Sequence, residues 1–194
     1  MQSIASDVIG GFNHFLAEQQ RQVGDCRLTL VQFDDQYEVV YAAEPIGHAS
    51  RLTEDTFEPR GRTALLDAIG RTIDSTGRRL AALSEDERPD RVMLVIITDG
   101  LENASSDFTR AQIFGMISTQ RDVYHWSFLF LAANQDAIAE GAKVGIGAQQ
   151  SLNFAATGPG VRVASRRMSR AVSSLRSSGT AMLSTPAAKK SKVH

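Results

Sequence analysis

Residues 91–100 read RVMLVIITDG, and Val92 to Ile97 within them are all apolar, several of them β-branched. A strand with one wet face would alternate apolar and polar side chains. This one does not, so it is expected to be covered on both faces, as strands of a parallel sheet are. Asp99 follows at once. A carboxylate bordering a dry core costs free energy unless it is paired, hydrogen-bonded or bound to a metal. Gly100 lets the backbone turn sharply there and leaves that carboxylate accessible.

Working outward, a helix is expected over about 107–121, then a second buried strand in YHWSFLFLAA (124–133). A shorter helix in QDAIAEGAKVG (135–145), a last strand in QSLNFAA (150–156) and a helix over about 161–177 follow. Upstream, residues 3–22 place Ile4, Val8, Ile9, Phe12, Phe15 and Leu16 at helical spacing. CRLTLVQFDD (26–35) and QYEVVYAAEP (36–45) read as two strands joined by a tight turn, an antiparallel hairpin. Residues 45–62, with Pro45, Gly47, Pro59 and Gly61, form a long irregular connection before a helix over about 64–83. The pattern predicts an α/β fold: an open, mostly parallel sheet with helices on both faces and one antiparallel edge hairpin. In such sheets ligands sit at the carboxyl ends of the strands.

At 194 residues, with 42% hydrophobic and 22% charged side chains, the composition is that of a globular domain. No apolar run reaches the roughly 18 residues of a membrane span, and no basic segment followed by an apolar stretch opens the chain. A cytoplasmic protein is expected. Cys26 is the one cysteine, which excludes an internal disulfide and a zinc cluster, and it reads as a small buried residue. The net charge of −1 hides an asymmetry: no Asp or Glu follows Glu140, while nine Lys and Arg do. Arg162, Arg166, Arg167, Arg170 and Arg176 flank the apolar stripe of the last helix. A basic amphipathic helix can meet nucleic acid or an anionic membrane, but the outer face of a helix packed on a sheet needs no ligand, so neither is expected as a partner. The end, GTAMLSTPAAKKSKVH (179–194), reads as a disordered basic tail.

The chemistry concentrates on two residues. Thr63, in RGRTALLDAI, sits where a loop becomes a helix, and Asp99 closes the buried strand. A hydroxyl and a carboxylate at one sheet edge are hard oxygen donors suited to Mg²⁺ or Mn²⁺. Taken singly, each has a plainer reading: Thr63 as a helix N-cap and Asp99–Gly100 as a turn. Asp34 and Asp35 read as the hairpin turn. His14, His48, His125 and His194 have no metal-ligand spacing. No phosphate-binding glycine loop or nucleophile elbow is present. An enzyme is not expected.

In this order, FNHFLAEQ, LTLVQFDD, RGRTALLDAI and RVMLVIITDGLENAS resemble the von Willebrand factor type A domain, its bacterial intracellular branch, over about residues 1–155. The resemblance implies a Rossmann-like sheet and a metal-dependent protein-interaction module. Its metal site unites a D-x-S-x-S stretch with a threonine and an aspartate, matched here by Thr63 and Asp99. An acidic side chain of the partner would complete the shell, and ATP-driven chaperone systems are partners the resemblance permits. A metal-independent scaffold is the other reading. The family's first, central strand and its D-x-S-x-S stretch have no counterpart, and Ser3 and Ser6 are expected on the helix beyond it. A start assigned too late, or a degenerate relative, would explain this. If five apolar side chains were lost at about 2 kcal/mol each, the deficit is roughly 10 kcal/mol, against about 5–15 kcal/mol for a whole domain. Metal binding by this chain is expected to be weak or absent, the ion belonging to a longer form. Residues 1–157 are expected to form the domain, 158–178 a basic helix and 179–194 the tail.

Overall fold

The computed structural model describes residues 2–134 and 136–183. A short 3-10 turn (Gln2–Ile4) leads into α1 (Ala5–Gln20), and Ser3 and Ser6 lie exposed on these two elements. Strands β1 (Arg27–Phe33) and β2 (Tyr37–Pro45) pair antiparallel, Arg27 opposite Pro45 and Phe33 opposite Tyr37. The ladder is irregular between Leu28 and Val31. Opposite that break Ala43 takes φ 55°, and its amide donates to the Thr29 hydroxyl (3.0 Å), which gives the displaced amide a partner at the bulge. Helix α2 (Leu65–Ala81), strand β3 (Met93–Thr98), helix α3 (Arg110–Asp122), strand β4 (Ser127–Ala133), helix α4 (Ala137–Lys143), strand β5 (Ser151–Phe154) and helix α5 (Gly158–Ser178) complete the order.

Strands β3, β4 and β5 form a parallel sheet with β4 in the middle, Met93 opposite Ser127 and Phe130 opposite Ser151. The pleat sorts the apolar run as the lack of alternation implies. Leu94, Ile96, Phe128, Phe130 and Ala132 face α2, α3 and α4 in one cluster with Ile69, Ile73, Ile113 and Ile117. Met93, Val95, Ile97, Leu129, Leu131 and Ala133 face α1 and α5 in another, with Phe15, Val161, Ala164 and Met168. A mixed α/β architecture with helices on both faces is therefore present.

The hairpin differs from expectation. Among the described residues it is a sheet of its own, with no ladder to the parallel sheet. In consequence β3 stands at an edge of the parallel sheet. Met93, Leu94, Val95 and Ile97 are only half-buried, whereas Phe128 to Ala133 are buried throughout. Two helices span the division. Phe12 of α1 packs both on the parallel sheet and on the hairpin side, with Leu16 and Leu28, while Phe33 of β1 joins the α2 cluster on the other face.

The long connection is tied to α1. The Asn13 amide group donates to the Leu52 carbonyl and its oxygen accepts from the Leu52 N–H, each at 2.9 Å. Cys26 is half-buried near Leu16 and Ile46, as a small packing residue. The last helix is less solvated than expected. Arg176 turns inward to the carbonyls of Gln19 (2.7 Å) and Gly24 (3.1 Å), and Arg162 pairs with Asp7 (3.5 Å). Part of the expected tail is docked: the Leu183 amide donates to the Gln149 carbonyl (3.0 Å), and its side chain is buried with the α5 cluster. The rest of that tail, 184–194, lies outside the described residues. Among the described residues no helix is long and apolar enough to cross a membrane.

Candidate functional site

Of the two residues singled out from the sequence, Thr63 packs against the glycine that follows Asp99. Thr98 ends β3, its hydroxyl accepting from the Gly100 amide (3.2 Å) and donating to the Gly100 carbonyl (2.9 Å). This tight turn carries Asp99 outward into solvent. Gly100 then passes directly beneath Thr63: a Cβ at position 100 would lie 2.6 Å from the Thr63 hydroxyl oxygen and 3.6 Å from its Cβ. Glycine is required here by close approach, not by a left-handed backbone. Thr63 and the Asp99–Gly100 turn therefore share one rim, at the carboxyl end of β3.

Thr63 is not the cap of α2. The N-cap is Ala64, which has no side-chain cap bond, so the plainer reading of the threonine fails. Capping is done from across the chain. Glu102 accepts from the Leu66 amide (2.9 Å), and the Ser105 hydroxyl accepts from the Leu66 and Asp67 amides (3.0 and 3.1 Å). Burial pushes the Glu102 carboxyl up, but Ser105 and the backbone amides more than offset this and hold it below the usual range. A carboxylate at a helix N-terminus also meets the positive end of its dipole. In return, buried Asp67 accepts from the amides of Ser106 (2.9 Å), Asp107 (3.0 Å) and Phe108 (2.9 Å). Thr63 and Asn103 exchange bonds through the Thr63 amide (3.0 Å) and the Asn103 amide (3.1 Å). The loop after β3 and the start of α2 thus fix one another.

The hairpin turn closes the other side. Asp34 accepts from the Gln36 amide (2.6 Å) and from Arg60, and its carbonyl accepts from the Ala64 amide (2.6 Å). Burial raises the Asp34 carboxyl, and the Gln36 amide and Arg60 guanidinium together bring it below the usual range. Asp34 makes the turn expected of it and also anchors the loop that presents Thr63.

The rim offers one hydroxyl and one exposed carboxylate. Asp34, Asp67 and Glu102 accept from backbone amides, and Asp34 also from Arg60, while exposed Asp35 lies 4.0 Å from Arg62. Among the described residues no group of three or more His, Cys, Asp or Glu could hold a metal. His14 pairs with Glu18 (3.2 Å) and His48 lies 3.9 Å from Glu44, both exposed. His125 precedes β4 with φ 57°. The donor set at the rim fits Mg²⁺ or Mn²⁺ in kind, as hard oxygens, and only in part in number.

No protein-family profile, curated protein or solved structure matches the chain. Sequence reasoning missed Glu102, Ser105 and Asp67, which hold the rim from positions distant along the chain. The run D67…E102–S105 carries no short spacing that announces mutual capping.

Proposed function

We propose that the chain is a protein-interaction module of the von Willebrand factor type A kind, binding its partner at the rim formed by Thr63 and Asp99. One observation carries the reading: the Thr63 hydroxyl packs against Gly100, 2.6 Å from where a Cβ would stand, so the threonine and the aspartate turn lie side by side. The N-cap of α2 is Ala64 and carries no side-chain cap bond, so helix capping does not account for Thr63.

In this reading Thr63 supplies a hydroxyl and Asp99 a carboxylate to a divalent cation, directly or through water. The cation supplies an open coordination position for an acidic side chain of the partner. Two protein donors leave most of an octahedral shell to water, which Mg²⁺ gives up reluctantly. Affinity from these two donors alone is therefore weak, no tighter than about millimolar. ATP-driven chaperone assemblies are one class of partner to try first.

Millimolar Mn²⁺ added to isotopically labelled protein tests the site without needing the partner. Paramagnetic broadening is expected first at the amides of Thr63, Asp99 and Gly100, and Asp99→Asn should remove it. Broadening centred on the exposed acidic turn Glu85–Glu87, or unchanged in the variant, would refute the assignment.

A further inference from the structure

Helices α1 and α5 meet along a polar seam. The side-chain amide of fully buried Gln19 donates to the Ser169 and Ser173 hydroxyls, both at 3.1 Å, and its oxygen accepts from Arg176 (3.3 Å). Ser169, 1% exposed, gives its own proton to Glu18, whose other carboxylate oxygen lies 3.2 Å from His14. The Ser173 hydroxyl accepts from Gln22 as well as from Gln19. Two amide donors occupy both of its lone pairs, while its proton has no acceptor among the described residues. A seam of this kind adds little stability over an apolar one of the same shape. It floors a groove of about 380 Å³, open to solvent and lined by Glu18, Arg21, Gln22, Ser169, Arg170 and Ser173. That volume is in the range of small-molecule sites. Arg21 and Arg170 are exposed, and among the described residues neither has an ion-pair partner. Arg162 and Arg176 of the same helix pair are, by contrast, bound to Asp7 and to backbone carbonyls.

We propose that this groove binds a small phosphorylated polyol, a sugar phosphate by class. Guanidinium groups meet phosphate oxygens with paired N–H donors. Arg21 and Arg170 bring two such groups from different helices, and the Ser173 proton adds a hydroxyl donor between the amides that hold it in place. Glu18 selects the rest of the ligand. Its oxygens, each engaged once, by Ser169 and by His14, keep lone pairs that accept from hydroxyl groups. Its charge repels a second phosphate. Two arginines beside a carboxylate therefore suit one phosphate on a hydroxyl-bearing body, and they disfavour an extended polyanion, which Asp7 on the same seam would also repel. This site is independent of the cation reading, and its test is run in chelator so that the two fail separately.

The probe is glucose 6-phosphate, titrated at fixed ionic strength into the isotopically labelled full chain, with glucose and inorganic phosphate as separate arms. Amide and arginine side-chain resonances are followed. The expected result is saturable, one-to-one shifts confined to Arg21, Gln22 and the turn from Ser169 to Ser173. Glucose 6-phosphate should bind about tenfold or more tightly than inorganic phosphate, and glucose alone should not bind. Arg21→Gln and Arg170→Gln should each weaken binding by about tenfold or more, the range of one charged hydrogen bond. Both arginines are exposed and without an ion pair among the described residues, so the variants keep the fold. Arg51→Gln, the same loss of charge at an exposed arginine outside the groove, should change nothing. Three results would overturn the proposal: shifts that are absent or rise linearly without saturation; equal affinity for inorganic phosphate; or a loss in Arg170→Gln that Arg51→Gln matches.

Discussion

Gly100 and Thr63 are coupled by contact, so their substitutions should not add. Gly100→Ala forces a methyl against the Thr63 hydroxyl, and overpacking of this kind costs about 1–3 kcal/mol. In a Thr63→Ala background the same change should cost clearly less, as read by denaturant unfolding of the four proteins. Equal costs in the two backgrounds would show that the residues do not touch. Asp34 and Glu102 make a second prediction, in pH. Both carboxyls are held below their ordinary values in the folded chain. Their stabilisation is therefore complete above the unfolded values of about 4 and is lost as pH falls through the lowered folded ones. Unfolding free energy should be flat above about pH 5 and decline below about 4. Asp34→Asn should lower it by about 1–3 kcal/mol at neutral pH and make the acid decline shallower. At this scale the turn at Asp34 was legible in the sequence, and Thr63, read as a residue at a loop-to-helix junction, lies against Gly100. The sequence did not disclose Glu102 as the cap of α2, because a cap supplied across the fold leaves no local spacing to read.

The elements were legible where a period could be counted. The unbroken run Val92–Ile97 implied apolar contacts on both faces, and the odd and even residues do divide between two clusters. What a periodicity cannot state is the ladder partner. The same run says nothing about what lies beside it, and β3 stands at an edge. The exposed half of β3 predicts a behaviour of the element. Alternate amides of Met93–Thr98 should exchange much faster than those of β4, which is bonded on both sides. Hydrogen exchange with peptide-level resolution reads this, and similar protection of β3 and β4 would mean that the edge is already paired. Helix α5 carried the opposite lesson. Its basic stripe suggested a solvated outer face, but the pattern could not show that Arg176 lies on the inner side, where carbonyls wait.

For the whole molecule, α5 and the segment before α2 are the two clasps that hold the hairpin to the parallel sheet. Arg176 reaches α1 through Gln19 and the start of β1 through Gly24, joining elements from opposite ends of the chain. Arg176→Ala should destabilise by about 1.5–3 kcal/mol through its charged hydrogen bonds. Arg176→Lys should restore only part of this, since one ammonium cannot reproduce a planar fork. The hairpin should then open first, seen as faster exchange of Arg27–Phe33 than of β4. The opposite clasp is the rim, where Thr63 packs on Gly100. There the Cβ separation of 3.6 Å between Thr63 and a side chain at position 100 lies within the range of disulfides. In a Cys26→Ser background, the doubly substituted Thr63→Cys, Gly100→Cys protein should oxidise to a single intramolecular bond while remaining folded and monomeric. Two free thiols under the same oxidant, or bonds formed only between chains, would contradict a shared rim and with it the functional reading.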